Sequence, residues 1–173
     1  MDVLVYAAVL TPVLPALVPE PLYVARWDIV NELYGWDEVA AAVRERLPAG
    51  GVVVAGHYTM CAQLEWNLRG SGIPVACWTE QPSDFELWRP GERTTAGRPV
   101  LFVSDERYPE RPCDGGAGFP GVGTVVVERG GAAVRRFLLT ECAAGGVVWP
   151  RPPHEARAPG ERVPCGGRPT ASD

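Results

Sequence analysis

The 173-residue sequence contains no lysine and only two histidines. Its 16 basic residues are all arginines, 21 acidic residues outnumber them, and the formal net charge is −5. Proteins that bind nucleic acid without sequence preference need clustered positive charge to displace counterions from phosphates. Because nothing here builds a basic stripe, we do not expect nucleic acid to be a main partner.

Paired metal ligands and nucleotide-binding motifs are missing as well. His57 and His154 stand far apart and the cysteines form no C-x-x-C pair, whereas zinc fingers and ribbons need ligands at short spacing. No P-loop occurs, no G-x-G-x-x-G follows directly on a predicted strand, and no G-x-S-x-G elbow is present. The sequence therefore predicts no metal and no cofactor, and it supplies no convincing reaction centre.

The five cysteines are odd in number and scattered, which is not typical of a disulfide framework. Cys61 and Cys77 lie in apolar stretches and are predicted to be small buried hydrophobic side chains. The alternative is one disulfide among the remaining cysteines, if the domain lies outside the cytoplasm. Those remaining cysteines are Cys113, Cys142 and Cys165.

No apolar run reaches the about 20 residues that a helix needs to cross a bilayer core, but one comes close. Residues 3–18 carry no charge. A signal peptide would begin with positive charge, whereas Asp2 is negative, and two prolines would kink a buried core helix. We favour the end of a transmembrane helix in residues 1–22, followed by an interfacial fringe that includes Tyr23 and Trp27.

The middle of the chain alternates between helical and strand patterns. Apolar residues recur at helical spacing over 36–47, with acidic residues in the first turn and arginines in the last. An apolar run over 52–56 predicts a strand buried on both faces, and a second helical stripe begins at His57. Further strands are predicted over 73–78 and 99–104.

A hairpin is predicted at the end of this region, because residues 124–128 and 133–139 flank an Arg-Gly-Gly-Ala turn. Together the patterns predict an α/β domain over 23–144: a small, mostly parallel sheet with flanking helices and a C-terminal antiparallel hairpin, preceded by the short apolar helix. Residues 145–173 are rich in proline and glycine and have no period, so we expect them to be disordered.

A few residues lie where α/β proteins bind ligands. His57 follows the first predicted strand and Asp105 the third, and ligands favour the carboxyl ends of such strands. Tyr58 follows His57, while Asp84 and Trp88 lie in the loop before the third strand. We regard these five as possible ligand-facing residues. Each also has an ordinary interpretation as a helix cap, a surface charge or a packing residue, and we assign no catalytic role to any of them.

Two motifs resemble a family of membrane enzymes. Asp28, followed after six residues by Gly35-Trp36, is similar to the junction after the last membrane helix of bacterial dolichyl-phosphate-mannose–protein mannosyltransferase-like glycosyltransferases, family 39. An acidic-aromatic segment that ends in Leu87-Trp88 also resembles them, although its acidic residues depart from the family's usual pattern. A strand followed by a tyrosine-led helix and a valine-rich hairpin complete the similarity.

The resemblance extends over residues 28–139 and implies a particular role. Those enzymes transfer a sugar from a polyprenyl-phosphate donor, and their catalytic carboxylates lie in a membrane-proximal loop that no position here matches. The chain then resembles their C-terminal extramembrane domain, a membrane-associated fragment on the non-cytoplasmic side that meets the donor only through the missing membrane part. The alternative is a stand-alone α/β ligand-binding or interaction domain tethered to the membrane.

Overall fold

Five strands form one mixed sheet in the part of the chain that the computed structural model describes, which is residues 24–25, 28–79, 85, 90–107, 113 and 121–149. The strands are β1 (Val52–Ala55), β2 (Val75–Cys77), β3 (Val100–Asp105), β4 (Gly121–Arg129) and β5 (Ala132–Cys142). The helices are a 3-10 helix (Ile29–Leu33), α1 (Trp36–Arg46), α2 (Tyr58–Asn67) and α3 (Gly91–Thr95).

The strand order is β2-β1-β3-β5-β4, with parallel pairing in one half of the sheet and antiparallel pairing in the other. β1 pairs in parallel with β2 and β3, whereas β5 is antiparallel to β3 and β4. The predicted α/β class and C-terminal hairpin are therefore confirmed. The sheet is less parallel than expected, because parallel pairing accounts for only two of its four strand contacts.

The hairpin turn has the chemistry that its sequence predicts. Gly130 and Gly131 have φ angles of 62° and 84°, and a two-residue turn with positive φ at both positions matches the right-handed twist of the strands it joins. Glycine reaches this region without the steric cost that a Cβ atom imposes. β4 forms one edge of the sheet.

Helices α1 and α2 cover one face of the sheet. In α1, Trp36, Val39, Ala40 and Val43 are buried at the i, i+3, i+4, i+7 spacing that the sequence displays. The buried residues of α2, led by Met60, join them over the same face. Together they form the larger of two apolar clusters, which includes side chains from all five strands.

The opposite face of the sheet is covered by the C-terminal stretch of the described chain. Val147 and Trp149 pack against a second apolar cluster centred on Phe102. Trp78 Nε1 donates a hydrogen bond to the Val148 carbonyl oxygen at 2.6 Å. The disorder expected from residue 145 onward therefore does not apply to 145–149, whose apolar side chains complete this layer; residues 150–173 lie outside the described part.

The apolar segment 1–22 also lies outside the described residues. Within the part that is described, no helix is long and apolar enough to span a bilayer.

Two disulfides link elements of the fold. Cys61 in the first turns of α2 is bonded to Cys77 at the end of β2, with 5.7 Å between their Cα atoms. Cys113 is bonded to Cys142 at the end of β5. The second bond joins two of the three cysteines proposed for a disulfide. Cys61 and Cys77 are buried, as predicted, but they are bonded to each other and are not free thiols. The parallel pairing of β1 and β2 places the end of β2 beside the start of α2, and this brings the two cysteines together.

This cysteine pairing can be read out chemically. In full-length chain secreted into an oxidising compartment, two disulfides account for four of the five cysteines. We expect alkylation of the denatured chain to label one cysteine before reduction and five afterwards. Peptide mapping should recover Cys61 linked to Cys77. A bond from Cys165 to any of these four, or free thiols at Cys61 and Cys77, would contradict the assignment.

Candidate functional site

Three of the five residues that the sequence selects as ligand-facing, His57, Tyr58 and Asp105, lie at one end of the sheet, which we call the carboxyl edge. It is the end at which the parallel strands β1, β2 and β3 finish. The register pairs Ala55 of β1 with Val103 of β3, so His57 and Asp105 follow or end neighbouring strands at this edge. In open α/β sheets, this is the usual position of a ligand crevice.

His57 caps helix α2. Its backbone is extended, with φ −139° and ψ 140°, and its side chain accepts a hydrogen bond from the backbone N–H of Thr59. The same ring nitrogen, Nδ1, lies 2.7 Å from the Thr59 hydroxyl. The Tyr58 ring stands 4.4 Å from the imidazole, centroid to centroid, and is exposed. Capping satisfies one of the free N–H groups of the first helical turn, so His57 has a defined structural task.

Asp105 forms a buried ion pair. Its Oδ2 accepts a hydrogen bond from Arg135 Nη2 at 2.7 Å, and the two side chains are only 1% and 3% exposed. Its Oδ1 accepts from the backbone N–H of Arg107 at 2.8 Å. Burial lowers the pKa of the Arg135 guanidinium, and the charge of Asp105 opposes that shift. The guanidinium also lies against the rings of Trp36 and Phe137.

Two further ion pairs bind the chain segment that precedes α1. We call this segment, Ala25 together with residues 28–35, the N-terminal strap. Arg129 Nη1 lies 3.4 Å from Asp28 Oδ2 and donates to Asn31 Oδ1 at 3.2 Å. Arg107 Nη1 lies 2.6 Å from Glu32 Oε1. These two arginines, one at the end of β4 and one just after β3, hold the strap against the carboxyl edge.

Backbone groups of the strap complete the same network. Arg107 Nη2 donates to the Ala25 carbonyl at 3.3 Å, and Arg135 Nη1 donates to the Glu32 carbonyl at 3.2 Å. Trp36 Nε1 donates to that same Glu32 oxygen at 2.6 Å. Such bonds satisfy carbonyl groups that burial would otherwise leave without partners.

Gly35 and Trp36 connect the strap to α1. Gly35 caps the helix in the left-handed region at φ +85°, and a Cβ atom here would collide with the Val127 side chain. Trp36 is buried and meets Phe137 edge to face, with ring centroids 5.1 Å apart. The residues that carry the resemblance, Asp28 and Gly35-Trp36, therefore act in attaching the strap to the hairpin.

The other candidates from the sequence have different outcomes. Asp84 and Trp88 lie outside the described residues. Of the remaining three, His57 and Tyr58 lie at the end of β1, and Asp105 lies at the end of the neighbouring strand, where its carboxylate is engaged by Arg135. Among the described residues, no group of three metal-binding side chains is found.

Sequence reasoning missed the arginines that organise this edge. Arg129 and Arg135 occupy buried positions in a hairpin that is otherwise apolar on that side. The available signal was the irregular alternation of β5, where charged residues fall in both phases of the strand. A buried arginine in a strand requires an acceptor, but the acceptors lie 101 and 30 positions away along the chain.

The chemistry of the cluster is charge compensation. Three carboxylates and three guanidinium groups meet in pairs, so the network neutralises itself and connects strap, sheet and hairpin. Removing one member of such a buried pair leaves the other charge without compensation, which is strongly destabilising.

No protein-family model matches this chain, and neither a curated protein nor a solved structure is found to match it.

Proposed function

We propose that this chain is the C-terminal extramembrane domain of a polyprenyl-phosphate-sugar-dependent membrane glycosyltransferase. In this proposal residues 1–22 end in the membrane, and sugar transfer is performed by a membrane part that this chain does not contain. The observation that carries the proposal is the attachment of the N-terminal strap. The strap follows the apolar run almost directly, and it is held to the sheet by a buried ion pair, a partly exposed ion pair and a hydrogen bond to a backbone carbonyl.

Attachment of this kind leaves only a few residues between the bound part of the domain and the apolar run. A long free linker would let the domain diffuse over a wide volume, whereas a strap bound through Ala25, Asp28 and Glu32 restricts it. A domain that must stay over one side of a membrane enzyme needs such a restriction. One of the two motifs that resemble family 39 enzymes, Asp28 with Gly35-Trp36, lies in this strap and at the helix start that follows it, which supports the same role.

The disulfides support a location on the non-cytoplasmic side. Disulfides persist in oxidising environments such as the bacterial periplasm and are rare in the reducing cytosol. Two bonds, one at the core between α2 and β2 and one at the end of β5, favour that compartment.

A stand-alone ligand-binding domain is the second candidate. The observation that favours it is the place of His57 and the exposed Tyr58, at the strand end where α/β sheets commonly bind ligands. Binding of a sugar or nucleotide-sugar by the full chain in the absence of lipid would favour this candidate over the first.

The membrane attachment can be tested with the full chain and phosphatidylcholine vesicles. We expect the chain to float with the vesicles after detergent removal, because residues 3–18 are uncharged. The pair Val9→Asp and Leu10→Asp should abolish flotation, since charge inside a bilayer is costly. The matched control Ala41→Asp with Ala62→Asp adds the same charge at exposed helix positions and should float normally.

The enzymatic part needs a different measurement. Sequencing of the full-length transcript should reveal an in-frame upstream segment that encodes several apolar helices, and the full chain alone should transfer no mannose from polyprenyl-phosphate-mannose to a peptide. A stop codon directly upstream, or transfer by the full chain alone, would contradict the proposal.

A further inference from the structure

We infer that the carboxyl edge is the surface of this domain that faces the bilayer, and that it meets the lipid headgroup layer through the exposed side chains of Val24, Leu33 and Tyr58. The inference rests on the proposed membrane attachment of residues 1–22. It adds the side of the domain that is turned toward the lipid, and therefore the side from which a lipid-linked substrate would approach.

Only a short length of chain separates the apolar run from the strap. Val18 ends the uncharged run, and Val24 is only six residues later. Even a fully extended chain spans at most about 22 Å over six residues. Ala25 is fixed to the carboxyl edge, because its carbonyl accepts hydrogen bonds from Arg107 at 3.3 Å and from Asn31 at 3.0 Å.

The opposite end of the sheet, the amino edge, is farther from that anchor. It lies at the start of β3, and the six residues of β3 span about 20 Å at about 3.3 Å per residue. If residues 3–18 are in lipid, the linker attaches the domain to the membrane at its carboxyl edge. Because the linker can extend about as far as the sheet is long, this attachment alone does not choose between the two edges, and the chemistry of their surfaces decides.

The carboxyl edge has three exposed apolar or aromatic side chains that could contact lipid. Val24 is 45% exposed, Leu33 59% and Tyr58 58%. They come from three separate segments: next to the anchored Ala25, at the end of the 3-10 helix, and in the first turn of α2. Single exposed apolar residues are common on protein surfaces. Here three of them lie at the end of the domain that is linked to the apolar residues 3–18, and we call these three side chains the contact fringe. Tyrosine is enriched at membrane interfaces because its ring is amphipathic.

The other surface that could face the lipid is the amino edge, whose side chains differ in chemistry. Trp66 is 63% exposed there, and the Arg69 guanidinium lies 3.9 Å from its ring centroid. Arg98 donates to the Gly50 carbonyl at 2.7 Å at the same end. An edge rich in arginine would bind anionic lipids. The carboxyl edge instead carries the exposed acids Asp37, Glu38 and Glu106, so anionic lipid should not strengthen its contact.

The experiment is photolabelling of the full chain in vesicles. The chain is reconstituted into phosphatidylcholine vesicles that contain a phospholipid with a diazirine near the headgroup, and labelled peptides are identified by mass spectrometry. We expect the peptides that contain Val24, Leu33 and Tyr58 to be labelled several-fold more than the peptide that contains Trp66.

Paired variants make the assignment specific. Leu33→Ser with Tyr58→Ser removes two members of the fringe, and we expect label at the carboxyl edge to fall several-fold while the chain remains vesicle-bound through residues 1–22. Trp66→Ser is the matched control, since it removes an exposed aromatic side chain at the other end of α2. It should leave the pattern unchanged.

Each outcome bears on the inference. Vesicle-bound chain labelled mainly at Trp66, or bound more tightly when phosphatidylglycerol is added, overturns the orientation and leaves the membrane attachment intact. Vesicle-bound chain with no label at either edge means that protein or solvent covers the carboxyl edge, which also overturns it. A chain that does not bind vesicles at all removes both the orientation and the proposed attachment.

Discussion

Replacing Gly35 with alanine should lower the free energy of unfolding by about 4 kcal/mol. Two costs add. An alanine at φ +85° adopts a left-handed conformation that is unfavourable for any residue with a Cβ atom. That Cβ also collides with the Val127 side chain in the sheet, so either β4 or the start of α1 must move, and overpacking of this kind is costly.

The matched control is Gly50→Ala. Gly50 has a similar φ of 71°, but no atom lies within 4 Å of its added Cβ, so only the conformational cost of about 1 kcal/mol applies. Urea unfolding of the oxidised full-length chain, followed by tryptophan fluorescence, measures both variants. Equal losses in the two variants would mean that the contact of Gly35 with β4 is not closely packed.

The second large effect is expected for Arg135→Met, which should destabilise the chain by about 4 kcal/mol. The substitution keeps most of the apolar contact with Trp36 and Phe137 but removes the guanidinium that pairs with Asp105, whose side chain is 1% exposed. It also removes the hydrogen bond that holds the Glu32 carbonyl. A buried carboxylate that has lost its guanidinium partner is the principal cost.

A double-mutant cycle separates the ion pair from packing. Arg135→Met with Asp105→Leu should be less destabilised than Arg135→Met alone, because no buried charge is left without a partner. Arg46→Met is the control, since its pairing with the exposed Glu45 spans 3.6 Å, and it should change stability by no more than about 0.5 kcal/mol. If Arg135→Met were as mild as the control, the strap would not depend on this network.

The elements that were predictable from sequence are those specified by local patterns. α1 is amphipathic with matching charges at its ends, and the structure has it at Trp36–Arg46. The valine run of β1 is buried throughout, and the two glycines between β4 and β5 make the expected turn. In each case the physical information lies within a dozen neighbouring residues.

The strand order and the layers were not predictable in the same way. The sequence gives no local sign that β5 lies between β3 and β4, or that residues 145–149 cover the second face of the sheet. Trp149 belongs to a stretch whose composition is typical of disorder. It packs because Gly91 leaves room for its indole ring, and that fit depends on tertiary placement alone.

In the candidate site, too, only the features set by neighbouring residues were predictable from the sequence. A strand followed by a helix places His57 at a strand end, which the sequence pattern is sufficient to predict. Asp105 is instead paired with Arg135, thirty positions later, and Cys61 is bonded to Cys77. Partners of this kind become visible only when the parallel and antiparallel halves of the sheet are assembled.

The connectivity of the strap has a consequence for biosynthesis. Asp28 and Asn31 leave the ribosome early, but Arg129, which binds both, is synthesised about a hundred residues later. By then β1, α2 and β2 are complete, and Cys61 can already have met Cys77. The strap is among the first parts of the described chain to be made, but its ion pair with Arg129 can form only after the hairpin has been synthesised.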